Sequence, residues 1–169
     1  EITLEDIIAE EDMVVNISSG GYIKRNPTSL FKIQRRGGKG KMGMTTKEED
    51  FVSNLFIAST HSYILFFTDR GKVYSLKVYD IPQAGRAAKG KAIVNILNVE
   101  QGENITAFLP VKEFVENNYI IMATDHGVIK KSDLMSFSHI RSGGLIAVNL
   151  DEGDSLIAAR LTDGAHDIF

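Results

Sequence analysis

The chain has 169 residues, 43% of them hydrophobic, with no cysteine and a formal net charge of -3. That is enough for one domain with a real core. It excludes disulfides and thiolate metal sites, and no apolar run approaches the roughly 20 residues of a membrane-spanning helix. With no basic-then-apolar leader at its start, the chain reads as soluble and intracellular.

Residues 1–12 carry Glu1, Glu5, Asp6, Glu10, Glu11 and Asp12 around Ile2, Leu4, Ile7 and Ile8, a pattern open to a short helical turn or an extended lead-in, and are read as an acidic linker. From Met13 the pattern changes. Met13–Ser18 is β-rich, Ser19-Gly20-Gly21 supplies a turn, and Tyr22–Arg25 returns as a strand, with Asn26-Pro27 breaking the hairpin. A second hairpin follows at 63–68 and 72–77 around Asp69-Arg70-Gly71, and a third at 119–124 and 128–131 around Asp125-His126-Gly127. The run Leu156–Leu161 reads as the apolar strand of a further unit, with Thr162-Asp163-Gly164 opening its turn. Thr-Asp-x-Gly is turn grammar: the Asp side chain bonds nearby amides and Gly accepts the left-handed conformation.

Three landmarks share one period. Turn glycines Gly21, Gly71 and Gly127 are 50 and 56 residues apart, and Gly40, Gly90 and Gly144 are 50 and 54 apart. An acidic turn precedes an apolar strand at Glu48-Glu49-Asp50, Gln101-Gly102-Glu103 and Glu152-Gly153-Asp154. A period near 50 with about four short strands per unit predicts an all-β chain of propeller-like blades. A β-sandwich would share the strands but not the repetition. The expected blades are about 13–58, 59–109 and 110–160, with 161–169 starting a fourth, all within a partial domain 13–169. So few units leave open sheet edges, which suggests a truncated chain or part of a longer one.

Acids and bases are segregated. After the acidic entry, Lys24, Arg25, Lys32, Arg35, Arg36, Lys39 and Lys41 follow with no acid between them, a footprint for a polyanion that the net charge hides. The densest stretch is Gln34-Arg35-Arg36-Gly37-Gly38-Lys39-Gly40. Glycine permits close approach, Arg gives planar phosphate contacts, and Lys a mobile point charge. Echoes recur at Arg86-Ala87-Ala88-Lys89-Gly90-Lys91 and Arg141-Ser142-Gly143-Gly144, and cations also follow the hairpin turns at Lys24, Arg25, Lys72, Lys130 and Lys131. These positions, Gln34 to Lys41 included, are the candidate DNA-contacting residues, with the first unit dominant because its copy is the most basic. The rival reading is a protein-interaction propeller whose basic loop binds an acidic partner.

Catalytic signatures are missing. Gly40-Lys41 is followed by Met42 rather than Ser or Thr, and position 35 is Arg where a phosphate-cradling loop needs glycine. His61, His126, His139 and His166 stand singly, without metal-ligand spacing. Asp69, Asp125 and Asp163 recur once per unit, which marks turn residues, and Tyr22, Tyr63, Tyr74, Tyr79 and Tyr119 sit in or beside strands, where packing is the expected role.

The heptad Gln34–Gly40 resembles, at all seven positions, the box that marks the C-terminal domain of bacterial DNA gyrase A. The resemblance implies a six-bladed β-pinwheel of which this chain spans roughly the first half. It implies non-sequence-specific wrapping of double-stranded DNA in a cytoplasmic, nucleoid-associated, ATP-dependent topoisomerase that introduces negative supercoils. It further implies partners in the gyrase A N-terminal core and gyrase B, with ATP and Mg2+ used elsewhere and no cofactor here. The related domain of topoisomerase IV tends to carry degenerate boxes, so the complete heptad favours gyrase.

Overall fold

The structure is a computed structural model that describes residues 2–29, 52–85 and 87–163. Each hairpin forms around a tight turn closed in the same way. The amide of Gly21 donates to Ser18 O, Gly71 to Thr68 O and Gly127 to Thr124 O, at 3.0–3.1 Å. All three glycines have φ between 82° and 91°, a region that penalises any residue with a Cβ.

The first hairpin joins β1 (Asp12–Ser18) to β2 (Tyr22–Pro27), and the strand runs through Pro27, which pairs with Met13, rather than breaking before it. The missing proline N–H falls on the last pair of the ladder, where its loss costs least. Strand β3 (Val52–Ser59) lies antiparallel on the other side of β1, with a bulge at Ile17/Ser18. Strands β4 (Tyr63–Thr68) and β5 (Lys72–Lys77) make the second hairpin, flanked by β7 (Ile105–Val111) with a bulge at Phe67/Thr68. Strands β8 (Tyr119–Thr124) and β9 (Ile129–Asp133) make the third, flanked by β11 (Leu156–Thr162). Leu156–Thr162 thus belongs to the third sheet, paired along Tyr119–Thr124, and does not begin a further one.

The fourth strands come from further along the chain. Strand β6 (Lys91–Ala92) pairs with Tyr22 and Ile23 of the first hairpin, and β10 (Leu145–Ile146) with Val73 and Lys72 of the second. The sheet orders are β3-β1-β2-β6, β10-β5-β4-β7 and β11-β8-β9. Each four-stranded sheet is therefore completed by the segment following the next repeat's basic box.

The chain divides into two compact units, Glu1–Ser62 with Lys77–Ile96, and Tyr63–Leu76 with Leu97–Phe169. In the first, period-two alternation puts Met13, Val15, Ile17 and Ile23 on one face of the sheet, all buried. In the second, Leu65, Phe67, Val73, Val111, Ile120, Met122, Leu134, Phe137 and Leu156 form one apolar cluster. Each large apolar side chain so buried contributes roughly 1.5–3 kcal/mol.

The acidic lead-in is attached to the first unit. Thr3 and Asp6 form a reciprocal capping box at the start of α1 (Leu4–Ile7). Glu5 meets Lys77 Nζ at 3.2 Å, and Thr60 Oγ1 donates to Ala9 O at 2.7 Å. Among the described residues, no helix is long and apolar enough to cross a membrane.

Candidate nucleic-acid interface

The predicted cations divide into those the fold consumes and those it leaves outside. Lys24 belongs to the first group: its side chain is fully buried, and Nζ donates to Gly85 O and Ala88 O, each at 2.9 Å. Burial lowers its pKa. The expectation of a phosphate contact at Lys24 gives way to a structural role, because an ammonium with no exposed surface does not reach a polyanion. Arg25 is half-buried, its guanidinium donating to the carbonyls of Ile81 and Tyr79 while its amide donates to Pro82 O. Lys72 is half-buried too, 3.9 Å from Glu100 and 5.3 Å from the Tyr74 ring centroid.

Lys89, Lys91, Lys130, Lys131 and Arg141 are exposed. Lys89 Nζ lies 5.1 Å from the centroid of Tyr22, and Lys131 Nζ 4.3 Å from that of Tyr119. These half-buried tyrosines present a face to a cation as well as packing in the sheet, a pairing that strand position alone does not reveal. The side chain of Lys130 is partly engaged, with Nζ 3.1 Å from Ala147 O. Gln34, Arg35, Arg36, Gly37, Gly38, Lys39, Gly40, Lys41 and Arg86 lie outside the described residues.

The later box copies show what their last glycine does. Gly90 has φ +98°, and a Cβ there would stand 2.3 Å from Ile23 O and 2.9 Å from Lys24 Cβ. Gly144 has φ +87°, and a Cβ would stand 2.9 Å from the Tyr74 ring. In both copies the glycine lets the chain pass close over the preceding hairpin just before it adds the fourth strand. Next, the turn-glycine carbonyls accept from the arriving strand: Gly21 O from Ile93 N at 2.9 Å, and Gly71 O from Ala147 N at 2.7 Å.

One buried acid reads in the sequence only as part of a turn. Glu103 accepts from Thr68 Oγ1 at 2.7 Å, from the Tyr74 hydroxyl at 3.0 Å and from the Glu100 amide at 2.9 Å. Burial pushes its carboxyl up, but these donors, with Lys72 nearby, hold it below the ordinary range. Asp154 occupies the matching place in the third sheet, accepting from the amides of His126 and Ser155 at 2.9 and 2.8 Å. A signal is present: an acid stands two residues before each of the strand starts Ile105 and Leu156. Asp69, expected as a turn residue, accepts from the backbone amide and side-chain amide of Asn104, both at 3.0 Å.

Antiparallel sheets repeated with one period and completed by strand exchange define an all-β, propeller-like repeat module. The family model described as the DNA gyrase C-terminal domain, beta-propeller, matches residues 12–59, 62–112 and 118–163, one segment for each hairpin with its flanking strand. The chain belongs to this family. Across all 169 residues it is 50% identical to the DNA gyrase A protein of Aeromonas salmonicida, 48% to that of Clostridium acetobutylicum and 49% to that of Escherichia coli K12. It spans about a fifth of these relatives' length (18–20%). Among solved structures, it is similar to the C-terminal domain of DNA topoisomerase IV, with TM-score 0.78, 26% identity, and 94% of this chain and 48% of that one covered. A DNA gyrase A C-terminal domain shares the fold at TM-score 0.63 and 20% identity, over 90% of this chain and 48% of that one.

Proposed function

We propose that this chain is a duplex-DNA-binding module that holds phosphate along a bent path and carries out no chemistry of its own. The observation that carries this reading is the exposure of Lys89, Lys91 and Arg141 on segments tightly fastened to the preceding hairpin. Fixed cations on short, glycine-anchored turns suit a backbone of regularly spaced negative charge. The heptad Gln34–Gly40 with Lys41 adds the richest cation cluster, and its completeness favours a gyrase role over that of topoisomerase IV.

Binding of this kind reads phosphate and deformability rather than base edges, so it is independent of sequence. Bending 20–30 bp through 40–90° costs on the order of 1–6 kcal/mol, which several phosphate contacts offset. In the whole enzyme, the wrapped segment would be delivered to the strand-passing core formed with the rest of gyrase A and gyrase B in the bacterial cytoplasm. ATP turnover and Mg2+-dependent cleavage belong to those parts.

The test is duplex affinity across a salt series. Replacing Arg35, Arg36, Lys39 and Lys41 by alanine is expected to weaken binding and reduce the logarithmic salt slope by roughly two to four, at about 0.9 per lost contact. The pair Lys89→Ala and Lys91→Ala should reduce it by up to about two. Absence of duplex binding by the unaltered chain would sink the reading, and an unchanged slope in both variants would move the contacts elsewhere.

A further inference from the structure

The second basic loop has little of its own to hold it in shape. Gly85, Ala87, Ala88 and Lys89 are all exposed, so among the described residues of the turn no apolar side chain anchors it. Among the described residues, its internal backbone bond runs from Ala88 N to Gly85 O, at 3.1 Å. The remaining supports come from the first hairpin. Asn26 Nδ2 donates to Ala84 O at 2.6 Å, Lys24 Nζ bridges Gly85 O and Ala88 O at 2.9 Å each, and Tyr22 and Ile23 pair with Ala92 and Lys91. Lys24 is the central support, since its ammonium joins the two carbonyls at the ends of the turn.

We propose that Lys24 is a positioning residue for DNA binding: its buried ammonium holds the carbonyls of Gly85 and Ala88 and so sets where Lys89 and Lys91 meet phosphate, without touching the nucleic acid. The inference rests on the DNA-binding reading above. An ammonium suits the task because it offers three donors and accepts none, and a charged donor to a carbonyl is stronger than a neutral one. The matching residue of the second hairpin, Tyr74, does something else. Its hydroxyl donates to Glu103 while its ring packs under Gly144, and the 141–144 turn is instead held through Asn98 Nδ2 and Ser142 O, at 3.3 Å. Between the first two repeats the clamp is therefore found in the first alone, while the third hairpin carries Lys130 at the matching position, its Nζ donating to Ala147 O at 3.1 Å.

A double-mutant cycle separates positioning from contact and from general instability. Lys24→Met keeps the length of the side chain and removes the donors. It is expected to weaken duplex binding about three- to tenfold in the otherwise unaltered chain, and less than about twofold where Lys89→Ala and Lys91→Ala are already present. Hydrogen exchange at the Ala88 amide should accelerate at least tenfold, with the β1–β2 amides unchanged. Equal losses in both backgrounds, unaltered affinity, or unaltered Ala88 exchange would each overturn the proposal. Should Lys24→Met fail to fold, Lys24→Gln, shorter and uncharged, serves in the same cycle with the same expectations. If the unaltered chain binds no duplex, the DNA reading falls and takes the claim about phosphate with it, while Ala88 exchange still decides whether the clamp exists.

Discussion

The first and second sheets share one backbone plan and fill it with opposite chemistry. At positions 50 residues apart, the first has Asn16, Lys24 and Asn26 where the second has Phe66, Tyr74 and Leu76, and all six are buried. In the second sheet Phe66 and Leu76 are buried apolar side chains, and Tyr74 packs its ring under Gly144 while its hydroxyl donates to Glu103. In the first, Lys24 and Asn26 grip a passing loop through its carbonyls, while both polar atoms of the Asn16 amide and Oδ1 of Asn26 are buried with no hydrogen-bond partner among the described residues. Backbone pairing and turn glycines are thus enough to reproduce the sheet. The side chains beneath the incoming box segment are free to specialise, for packing in one case and for gripping in the other.

The strongest way to break this comparison is to exchange the fillings. Phe66→Asn places the first sheet's amide where the second sheet buries an aromatic ring, and is expected to cost about 4 kcal/mol in urea unfolding from lost burial and an unsatisfied polar group. A cost under about 1 kcal/mol would mean the second sheet is as tolerant as the first. Next in size is the close approach that both sheets share. Gly90→Ala forces a methyl against Ile23 O and should cost about 3 kcal/mol, whereas Gly127→Ala, with φ +91° and nothing within 4 Å of the new Cβ, should cost only the left-handed penalty of about 1–2 kcal/mol. Equal costs would remove the steric role assigned to the box glycine.

Acid titration gives a smaller, conditional effect. Glu103, Asp154 and Asp69 all have carboxyl pKa values lowered by folding, so the stability they contribute is complete above the unfolded values, near 4, and is lost as pH falls through the folded ones. The thermal midpoint should therefore drop below about pH 4.5, and Glu103→Gln should flatten part of that drop. An identical pH profile in the variant would detach Glu103 from acid stability. The smallest effect runs the other way: Asn16→Leu, close in volume, replaces two buried polar atoms that have no partner among the described residues, and is expected to stabilise by about 1 kcal/mol.

Much of this fold is legible in the sequence because its signals are local. The three turn glycines, the Thr-Asp-x-Gly turns and the β-branched runs locate each hairpin, and only strand ends differ, as at Pro27. Strand partnership is not legible. Nothing within Lys91–Ala92 or Leu145–Ile146 says which hairpin they join, because two-residue pairings are chosen by geometry the local pattern does not encode. The candidate site divides along the same line. Exposed Lys89, Lys91 and Arg141 are what a charge pattern predicts. Lys24 is not, because its burial depends on a loop some sixty residues away in sequence. A hint is there: alternation from buried Ile23 sends Lys24 and Asn26 together to the opposite face, where Asn16 also lies.

The borrowed fourth strands also set an order of assembly. Hairpin partners such as Ile17 and Ile23 are six residues apart and meet within microseconds of collapse, whereas Tyr22 must find Ala92 and Val73 must find Leu145 across about seventy residues. So large a loop closes for only two residue pairs, which places it after the hairpins and their flanking strands have formed. Each sheet is consequently latched from downstream. A ribosome would have to deliver the next repeat's box before the preceding sheet could be completed, so a pause between residues 77 and 91 would leave the first sheet with its β2 edge open to pairing by other chains.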